Sequence, residues 1–321
     1  MEISRFEGPD EHWDRFVWDS PGGTIFSTLR FLRYHRAGTR DFLNLAVKDG
    51  GDLVAVVAGG RVVEAGGGGS AAAAWFRSPV GASFGGPVLR DDGDLREATE
   101  VVEAMTGGLR QMGLAGVEIV LPPECYSSNR DRSLAFALGR AGYRLEGSDA
   151  TSVVDLEAVG EDDLDAALLR NVRKAERGGV RVRASTDPVG FHAILSAALA
   201  AKGTQPTHSL AELESLFEIF PDRFALMEAT VEDRAVGGCL VVMCNSRVGL
   251  AFYICDDREH AHLRISEAAI FAAMNLLKRA GYKYFDLGTV SKGSDVNWGL
   301  VRFKSKFGAA TMVREHYRLR L

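Results

Sequence analysis

The side chains best suited to chemistry lie near the C-terminus, around a loop rich in Gly, Ser, Asp and Asn. Asp286 comes before this loop, at the end of an apolar strand, and Lys304 and Lys306 follow it. A lysine fixed beside a cleft can stabilise a carbonyl oxygen as it becomes negative, and open α/β sheets place ligands at strand ends. The alternatives are that Lys304 is an ordinary exposed lysine and that Asp286 caps the loop.

A second feature is a dense basic segment at residues 170–183, which holds six basic residues and one acid in a chain of net charge −5. On a helix that ends near Gly178, four of the six fall on one face at three- and four-residue spacing. These four are Arg170, Arg173, Lys174 and Arg177. Guanidinium groups suit bidentate contact with phosphate, so the pattern favours a phosphate or RNA-backbone contact. A solvated helix face is the alternative.

An earlier basic run lies beside Phe31 and Tyr34 and consists of Arg30, Arg33, His35 and Arg36. It could seat a phosphorylated substrate. Its long side chains could instead lie over the apolar stripe of a helix spanning residues 26–36. The sequence leaves both interpretations open.

Nothing in the sequence indicates a metal site. His260 and His262 lie on either side of Ala261, but no third or fourth ligand follows nearby, so a polar loop before a helix is expected. The four cysteines form no CxxC pair, and three of them have apolar, strand-like surroundings, which indicates buried reduced thiols. The sequence also lacks Ser-His-Asp, GxSxG, Walker and HExxH patterns.

Length and composition indicate a globular protein of two domains. The chain has 321 residues, of which 46% are apolar. A net charge of −5 excludes a globally basic nucleic-acid binder, so any RNA contact must use a local patch. No apolar run approaches the roughly 18 residues that span a bilayer. Residues 1–20 show no secretory signal, so we expect a cytoplasmic protein.

Hydrophobic periodicity predicts alternating helices and strands. Residues 94–113 carry one apolar stripe, typical of a helix, and residues 116–121 form the strand after it. In the second half, a helix that runs from Ser266, as N-cap, to Ala280 leads into a strand at residues 282–287. Helix, glycine and strand thus recur in each half, which favours two copies of one α/β unit.

Three local patterns carry further predictions. Gly59-Gly60 lies between two strand-like runs and indicates a hairpin, while residues 66–71 are expected to form a flexible turn. Residues 313–321 alternate like a half-buried strand, with Val313 on the apolar side and Arg314 on the polar side.

Three stretches resemble the FemAB-like branch of the GNAT acyltransferases. The most specific consists of Phe285-Asp-Leu-Gly, the loop, and Gly299-Leu-Val-Arg-Phe-Lys-Ser-Lys-Phe-Gly. The second consists of Val153-Val-Asp-Leu, an acidic helix, and Arg170-Asn-Val-Arg-Lys-Ala-Glu-Arg-Gly-Gly. The third is the opening segment at residues 26–38.

The resemblance implies an α/β (α+β) fold of two GNAT-like domains, each a mixed central sheet flanked by helices. The expected domains are residues 1–150 and residues 151–311. Residues 312–321 are expected to form a C-terminal strand that can return to the first domain.

The resemblance also implies roles for three residues. Lys304 and Phe303 match the Phe-Lys pair of the family motif, and Lys304 is expected to stabilise the oxyanion at the donor ester. Asp286 is the candidate for taking the proton of the amine. No metal or cofactor is implied, because an aminoacyl ester is already activated and the enzyme mainly aligns amine and carbonyl.

The implied function is N-acyl transfer that forms an amide bond. The favoured donor is aminoacyl-tRNA, held through the local basic face at residues 170–177, and the acceptor is an amine on a peptidoglycan precursor or a small molecule. Arg33 or Arg36 falls where relatives place a basic residue on the acceptor's phosphates, and the basic face falls where they place another.

Two alternatives remain open at this stage. One is an N-acyltransferase that uses acyl-CoA on a small metabolite, and the other is a non-catalytic family member that only binds a ligand. CoA-dependent GNATs have a glycine-rich pyrophosphate loop before the corresponding helix. Here that position reads Arg258-Glu-His-Ala-His-Leu, without glycine, which counts against acetyl-CoA.

Overall fold

The computed structural model describes residues 1–35, 38–64, 72–91, 94–129 and 131–321. These residues form two compact units. The first unit comprises residues 1–150, 292–294 and 313–321, and the second comprises residues 151–291 and 295–312. Arg36 and the turn expected at residues 66–71 lie outside the described residues.

The first unit is built from short strands with helices beside them. Its strands are β1 (Glu2–Arg5), β2 (Asp41–Phe42), β3 (Leu45–Asp49), β4 (Asp52–Ala58), β5 (Gly60–Glu64), β6 (Ala73–Ser78), β7 (Gly86–Leu89) and β8 (Gly116–Leu121). Its helices are α1 (Asp10–Asp19), α2 (Leu29–Leu32), α3 (Leu95–Gln111) and α4 (Ser133–Arg140).

The second unit has longer strands. They are β10 (Arg181–Ser185), β11 (Phe224–Val231), β12 (Arg234–Met243), β13 (Val248–Asp256), β14 (Tyr284–Thr289) and β16 (Asp295–Val296). Its helices are α5 (Ala166–Arg177), α6 (Val189–Ala200), α7 (Leu210–Ile219), α8 (Ile265–Arg279) and α9 (Trp298–Ser305). Strands with residues in both units are β9 (Arg144–Asp155), β15 (Ser291–Lys292) and β17 (Ala310–Arg320).

Both units contain a parallel strand pair with a helix in the connection. In the first unit the strand orders are β1-β3-β4-β7 and β17-β8-β6-β5-β2, and β6 and β8 are parallel. In the second unit the order is β10-β11-β12-β13-β14-β9, and β13 and β14 are parallel. The connecting helices, α3 and α8, belong to the predicted helix-glycine-strand segments. Each unit therefore contains a mixed sheet flanked by helices, as the predicted fold class requires, and the first unit has a second, antiparallel sheet.

Helix α3 shows why the periodicity was informative. The side chain of Asp94 accepts hydrogen bonds from the backbone N–H groups of Arg96 and Glu97, at 2.8 and 3.0 Å, and so caps the helix. Residues at three- and four-residue spacing, such as Val101 and Met105, are fully buried in the apolar core of the first unit. Burial of this stripe, rather than propensity alone, holds the helix in place.

The hairpin prediction at Gly59-Gly60 is wrong. Strand β4 pairs with β3 and β7, whereas β5 pairs with β2 and β6, so the chain continues from one sheet into the next without reversing. A Cβ on Gly59 would lie only 2.5 Å from Cζ of Phe76. The glycine is therefore needed for close packing at a bend, not for a turn.

The helix predicted over residues 26–36 is also much shorter than expected. A 3₁₀ turn at Ile25–Ser27 comes first, and α2 covers only Leu29–Leu32. The hydroxyl of Thr28 donates to the carbonyl of Ile25 and accepts from the N–H of Phe31. A threonine that bonds backbone groups on both sides ends one turn and caps the next helix.

The C-terminal strand reverses part of the predicted alternation. Val313 is exposed, whereas Arg314 is buried, with its guanidinium 5.3 Å from the ring centroid of Phe84. Further along, Arg318 stacks 3.9 Å from the ring centroid of Trp75. Aromatic faces thus make the basic side of β17 a packed side.

In the second unit, Ser266 is not the N-cap of α8. The helix begins at Ile265, after Arg264 in the left-handed region at φ 63°, and the Ser266 hydroxyl donates to Asp256 at 2.9 Å. The N-cap prediction is therefore wrong, because a side-chain partner in β13 takes the hydroxyl.

Candidate functional site

The second unit has an opening between its two parallel strands. Pairing of β13 with β14 ends at Leu250 opposite Asp286, although both strands continue. Past this point β13 contains a bulge. The adjacent residues Val241 and Leu240 of β12 pair with Ala251 and Tyr253, which leaves one extra residue in β13 between them. The carboxyl ends of parallel strands that separate in this way form the usual ligand crevice of open α/β sheets.

Asp286 lies within β14 beside this opening and is fully buried. Its Oδ1 accepts a hydrogen bond from the Thr151 hydroxyl of β9 at 2.5 Å and another from the N–H of Gly288 at 2.8 Å. The second bond closes a tight turn of the kind an aspartate cap makes. The geometry therefore gives Asp286 a positioning contact with Gly288, while its role as a base stays a prediction.

Gly288 sits where β14 gains one residue relative to β9. The register passes from Asp286 opposite Val153 to Thr289 opposite Thr151, and Gly288 has φ +85°, which favours glycine. A Cβ here would lie 3.8 Å from Nζ of Lys304. The bulge turns the end of β14 so that its carbonyl groups face the lysine.

Lys304 is the most unusual side chain of the site. It lies on α9, whose first turn is capped by Asn297, and it is only 5% exposed. Its Nζ donates to the carbonyl oxygens of Gly288 and Thr289, at 2.8 and 3.0 Å. An ordinary exposed lysine is therefore excluded. The ammonium is fixed at the end of β14, where an electrophilic group would serve a carbonyl substrate.

Phe303, the neighbour of Lys304, is a packed residue. It packs on the apolar core of the second unit, with its ring 5.8 Å from that of Phe307. This contact anchors α9, and so the orientation of Lys304, by apolar burial. The catalytic role of Phe303 stays a prediction.

Helix α5 carries the predicted basic face. Its apolar side is buried in the same core, through Leu168 and Val172 among others. The four basic side chains are exposed, and among the described residues none of them has an ion pair or a side-chain hydrogen bond: Arg170, Arg173, Lys174 and Arg177. An amphipathic helix thus leaves four uncompensated positive charges on its solvent side.

The other basic run gives a weaker site. Arg33 follows α2 directly and its Nη2 lies 2.5 Å from a carboxylate oxygen of Asp10. Because an acid already compensates it, Arg33 is a poorer phosphate ligand than the arginines of α5. Arg36, its predicted companion, lies outside the described residues.

Two contacts near the opening have no sequence signal. Thr151 is 135 residues from Asp286 along the chain, and Nδ1 of His208 meets the Tyr253 hydroxyl at 2.8 Å across 45 residues. Burial raises the pKa of Tyr253, so its hydroxyl stays protonated at neutral pH. The Tyr253–His208 pair ties the segment before α7 to the bulged part of β13.

Metal chemistry gains no support from the described residues. They contain no group of three or more His, Cys, Asp or Glu side chains that could hold an ion. His260 pairs with Asp257, 3.3 Å away, within the loop before α8. The four cysteines are buried and form no disulfide among the described residues.

Sequence comparison decides the family of the second unit. Residues 163–305 match the acetyltransferase (GNAT) domain family, and this segment includes the basic face, Asp286 and Lys304. This segment is a GNAT domain, and the protein is an acyltransferase. No curated protein matches it in sequence.

Solved structures extend the GNAT fold over both units. FemX has a TM-score of 0.74 at 11% identity and covers 100% of this chain and 98% of its own. The C-terminal domain of a putative lysylphosphatidylglycerol synthetase from Agrobacterium fabrum gives 0.61 at 13% identity, with 96% and 90% covered. A tandem GNAT protein of the clavulanic acid biosynthesis pathway gives 0.55 at 12%, with 99% and 98% covered. The predicted FemAB-like fold of two GNAT-like domains is confirmed.

None of the described helices is both long and apolar enough to cross a lipid bilayer.

Proposed function

We propose that this GNAT acyltransferase forms an amide bond by moving an aminoacyl group from aminoacyl-tRNA to an amine. The amine nitrogen attacks the ester carbonyl, a C–N bond forms, and the C–O bond to the tRNA ribose breaks. Lys304 stabilises the negative charge that develops on the carbonyl oxygen. The amine loses a proton to a nearby base, for which Asp286 is the candidate, and the ribose oxygen gains one.

The basic face of α5 is the observation that favours tRNA as donor. Four exposed, uncompensated cations on one helix match the spaced phosphates of a nucleic-acid backbone better than one small anion. They belong to the same domain as Lys304. The chain as a whole has a net charge of −5, so a cluster of four positive charges is a local exception. A helix face that is only solvated does not require such a cluster.

The similar structures add limited support for the acceptor. FemX gives the highest TM-score of the three structures described above, and the synthetase of the second comparison is named for a lysyl group on a lipid. We propose an amine acceptor for this chain, either on a peptidoglycan precursor or on a small molecule. On this proposal, Arg33 contacts a phosphate of that acceptor once its ion pair with Asp10 opens.

Acyl-CoA is the second candidate donor. It is favoured by the match to the acetyltransferase domain family and by the opening between β13 and β14, where a thioester could lie. The loop before α8 offers His260 and Arg264 but no glycine, so its backbone is less free to wrap a pyrophosphate.

The test compares binding of charged tRNA, deacylated tRNA, CoA and acetyl-CoA over a salt series. If four phosphates are neutralised, the logarithmic salt slope is about −3 to −4, and affinity falls about 100-fold between 50 and 200 mM salt. An Arg173→Gln/Lys174→Gln variant should reduce that slope by about half. The matched control is Lys202→Gln/Arg279→Gln, which removes two exposed charges of the same unit outside α5.

Three outcomes are distinguishable. A steep slope that only the α5 variant reduces supports tRNA as donor. Binding of CoA compounds without binding of tRNA would make acyl-CoA the donor. Equal slopes for the two double variants would refute the role of the α5 face, whatever the donor.

A further inference from the structure

A pocket opens in the first unit at the point where its own parallel strand pair ends. Strands β6 and β8 pair from Trp75 opposite Gly116 to Ser78 opposite Ile119. The chain then turns into β7, which pairs with β4 instead, while β8 continues beside β17. The space left between β7 and the end of β8 is an open pocket with a cavity volume of about 100 Å³.

One residue that lines the pocket has an unsatisfied hydroxyl. Thr24 lines the pocket and is 1% exposed, yet its Oγ1 has no hydrogen-bond partner among the described residues. It precedes a 3₁₀ turn that its side chain does not cap. A buried hydroxyl without a partner costs free energy, and a polar group of a bound molecule would satisfy it.

The pocket is apolar on its walls and negative at its charged groups. Phe84, Leu121 and Leu134 supply apolar wall, and the ionisable lining residues are three acids and one arginine. Arg132 bonds Glu315 at 2.6 and 2.8 Å and Glu124 at 2.7 Å. One guanidinium thus serves two carboxylates, and Asp131 adds a third negative charge. Arg314, buried against the ring of Phe84, adds a second cation beside the pocket, so three carboxylates stand against two guanidinium groups. The remaining excess of negative charge disfavours phosphates and carboxylates and favours a cation.

We propose that this pocket binds a small primary-ammonium compound that has an apolar body and a second hydrogen-bonding group. The ammonium meets the carboxylates, the body replaces water on the apolar walls, and the second polar group satisfies Thr24. The site lies entirely within the first unit and does not depend on the donor proposed for the second.

The probe is L-leucinamide, which has an ammonium group, an amide and an isobutyl body. Two comparison compounds share the body: 4-methylpentanamide lacks the ammonium, and N-acetyl-L-leucine carries a carboxylate. Calorimetric titration of the full chain is done at about pH 6.5, below the usual pKa of an α-amino group. We expect leucinamide to bind at least about tenfold more tightly than the neutral amide, and the anion not to bind.

Thr24→Val separates binding from folding. Valine keeps the shape but removes the unsatisfied hydroxyl, so the melting temperature without ligand should stay equal or rise, while affinity falls at least about fivefold. Thr28→Val is the matched control, because the Thr28 hydroxyl is fully bonded. It should lower the melting temperature and leave the affinity unchanged.

Glu124→Gln tests the charge. Glu124 is 60% exposed, and Arg132 keeps Glu315 as a partner, so the fold should be retained. Affinity for leucinamide should fall about threefold or more, with no change for the neutral amide. Equal binding of the amine and the neutral amide, no binding of leucinamide at millimolar concentration, or an unchanged affinity in Thr24→Val would each overturn the proposal.

Discussion

Lys304→Met gives the sharpest test of the site in the second unit. Methionine preserves the apolar stem and removes the ammonium that bonds Gly288 and Thr289. We expect amide formation to fall about 100- to 1,000-fold, which is the effect of removing one oxyanion donor, or about 3–4 kcal/mol of transition-state stabilisation. Binding of the donor should change far less, because the interaction is made mainly in the transition state.

The stability of this variant should change little, and the reason lies in two opposing terms. Each hydrogen bond from a charged donor contributes about 1.5–3 kcal/mol, so losing both destabilises by about 3–6 kcal/mol. Removing a charge that is only 5% exposed also removes a desolvation cost of several kcal/mol. The two terms nearly cancel, and we expect a net change within about 2 kcal/mol in the free energy of unfolding.

The assay pairs single-turnover amide formation with urea unfolding. Lys306→Met is the matched control, since Lys306 lies two residues further along and its side chain makes no hydrogen bond or ion pair among the described residues. It should retain both activity and stability. The reasoning would be refuted by a Lys304→Met protein that is folded and still reacts within about threefold of the wild-type rate. A variant that loses more than about 4 kcal/mol of stability would make the lysine a structural brace instead.

Three further predictions concern stability and reactivity. Burial raises the pKa of Asp14 to about 6 from 3.8, against the lowering effect of its bonds from the Leu29 and Arg30 N–H groups. The folded state thus keeps a proton that the unfolded state loses between about pH 4 and pH 6, so stability falls as pH rises through that window. In urea titrations the wild-type protein should lose about 1–2 kcal/mol of unfolding free energy across this window, after a discount for solvent screening, and Asp14→Asn should not. The same pH dependence in both proteins would contradict this prediction. Thr151→Val removes the bond to buried Asp286 and should cost about 1–3 kcal/mol of unfolding free energy, whereas Thr151→Ser should restore most of it. Burial raises the pKa of Cys239 to about 12, so thiol reagents should modify the four cysteines only after unfolding, and fast labelling of the native chain would argue against the buried positions.

Much of the fold was accessible from sequence because it rests on local periodicity. Helix α3 has a side-chain cap, an apolar stripe and a glycine after its end, so every local signal agrees. The errors occur where a distant contact decides. Position 59 requires glycine because the ring of Phe76 packs against it at a bend, and Arg314 is buried because its guanidinium stacks on the ring of Phe84. Neither partner is near in sequence, so no window of neighbouring residues could reveal it.

The site shows the same division. The sequence named Lys304 and Asp286 from residue type and from the resemblance, but it could not distinguish a fixed lysine from an exposed one. What fixes Lys304 is a bulge with Gly288 at positive φ, and that bulge depends on pairing with β9 and on Thr151. Both the pairing and the Thr151 contact join residues that are far apart in the sequence. The only local trace of them is the Asp-Leu-Gly order, which suits a carboxylate that bonds the N–H two residues on.

The strand openings of the two units differ in their charged groups. Each unit has a parallel pair that separates at its carboxyl end. In the second unit that end is faced by a buried ammonium, a group that stabilises developing negative charge. In the first unit the pocket contains no lysine and carries more carboxylates than cations, so it would oppose an oxyanion and favour a cation. We therefore expect charge-reversing substitutions to abolish function in either unit, by loss of the chemical step in the second and by loss of ligand binding in the first.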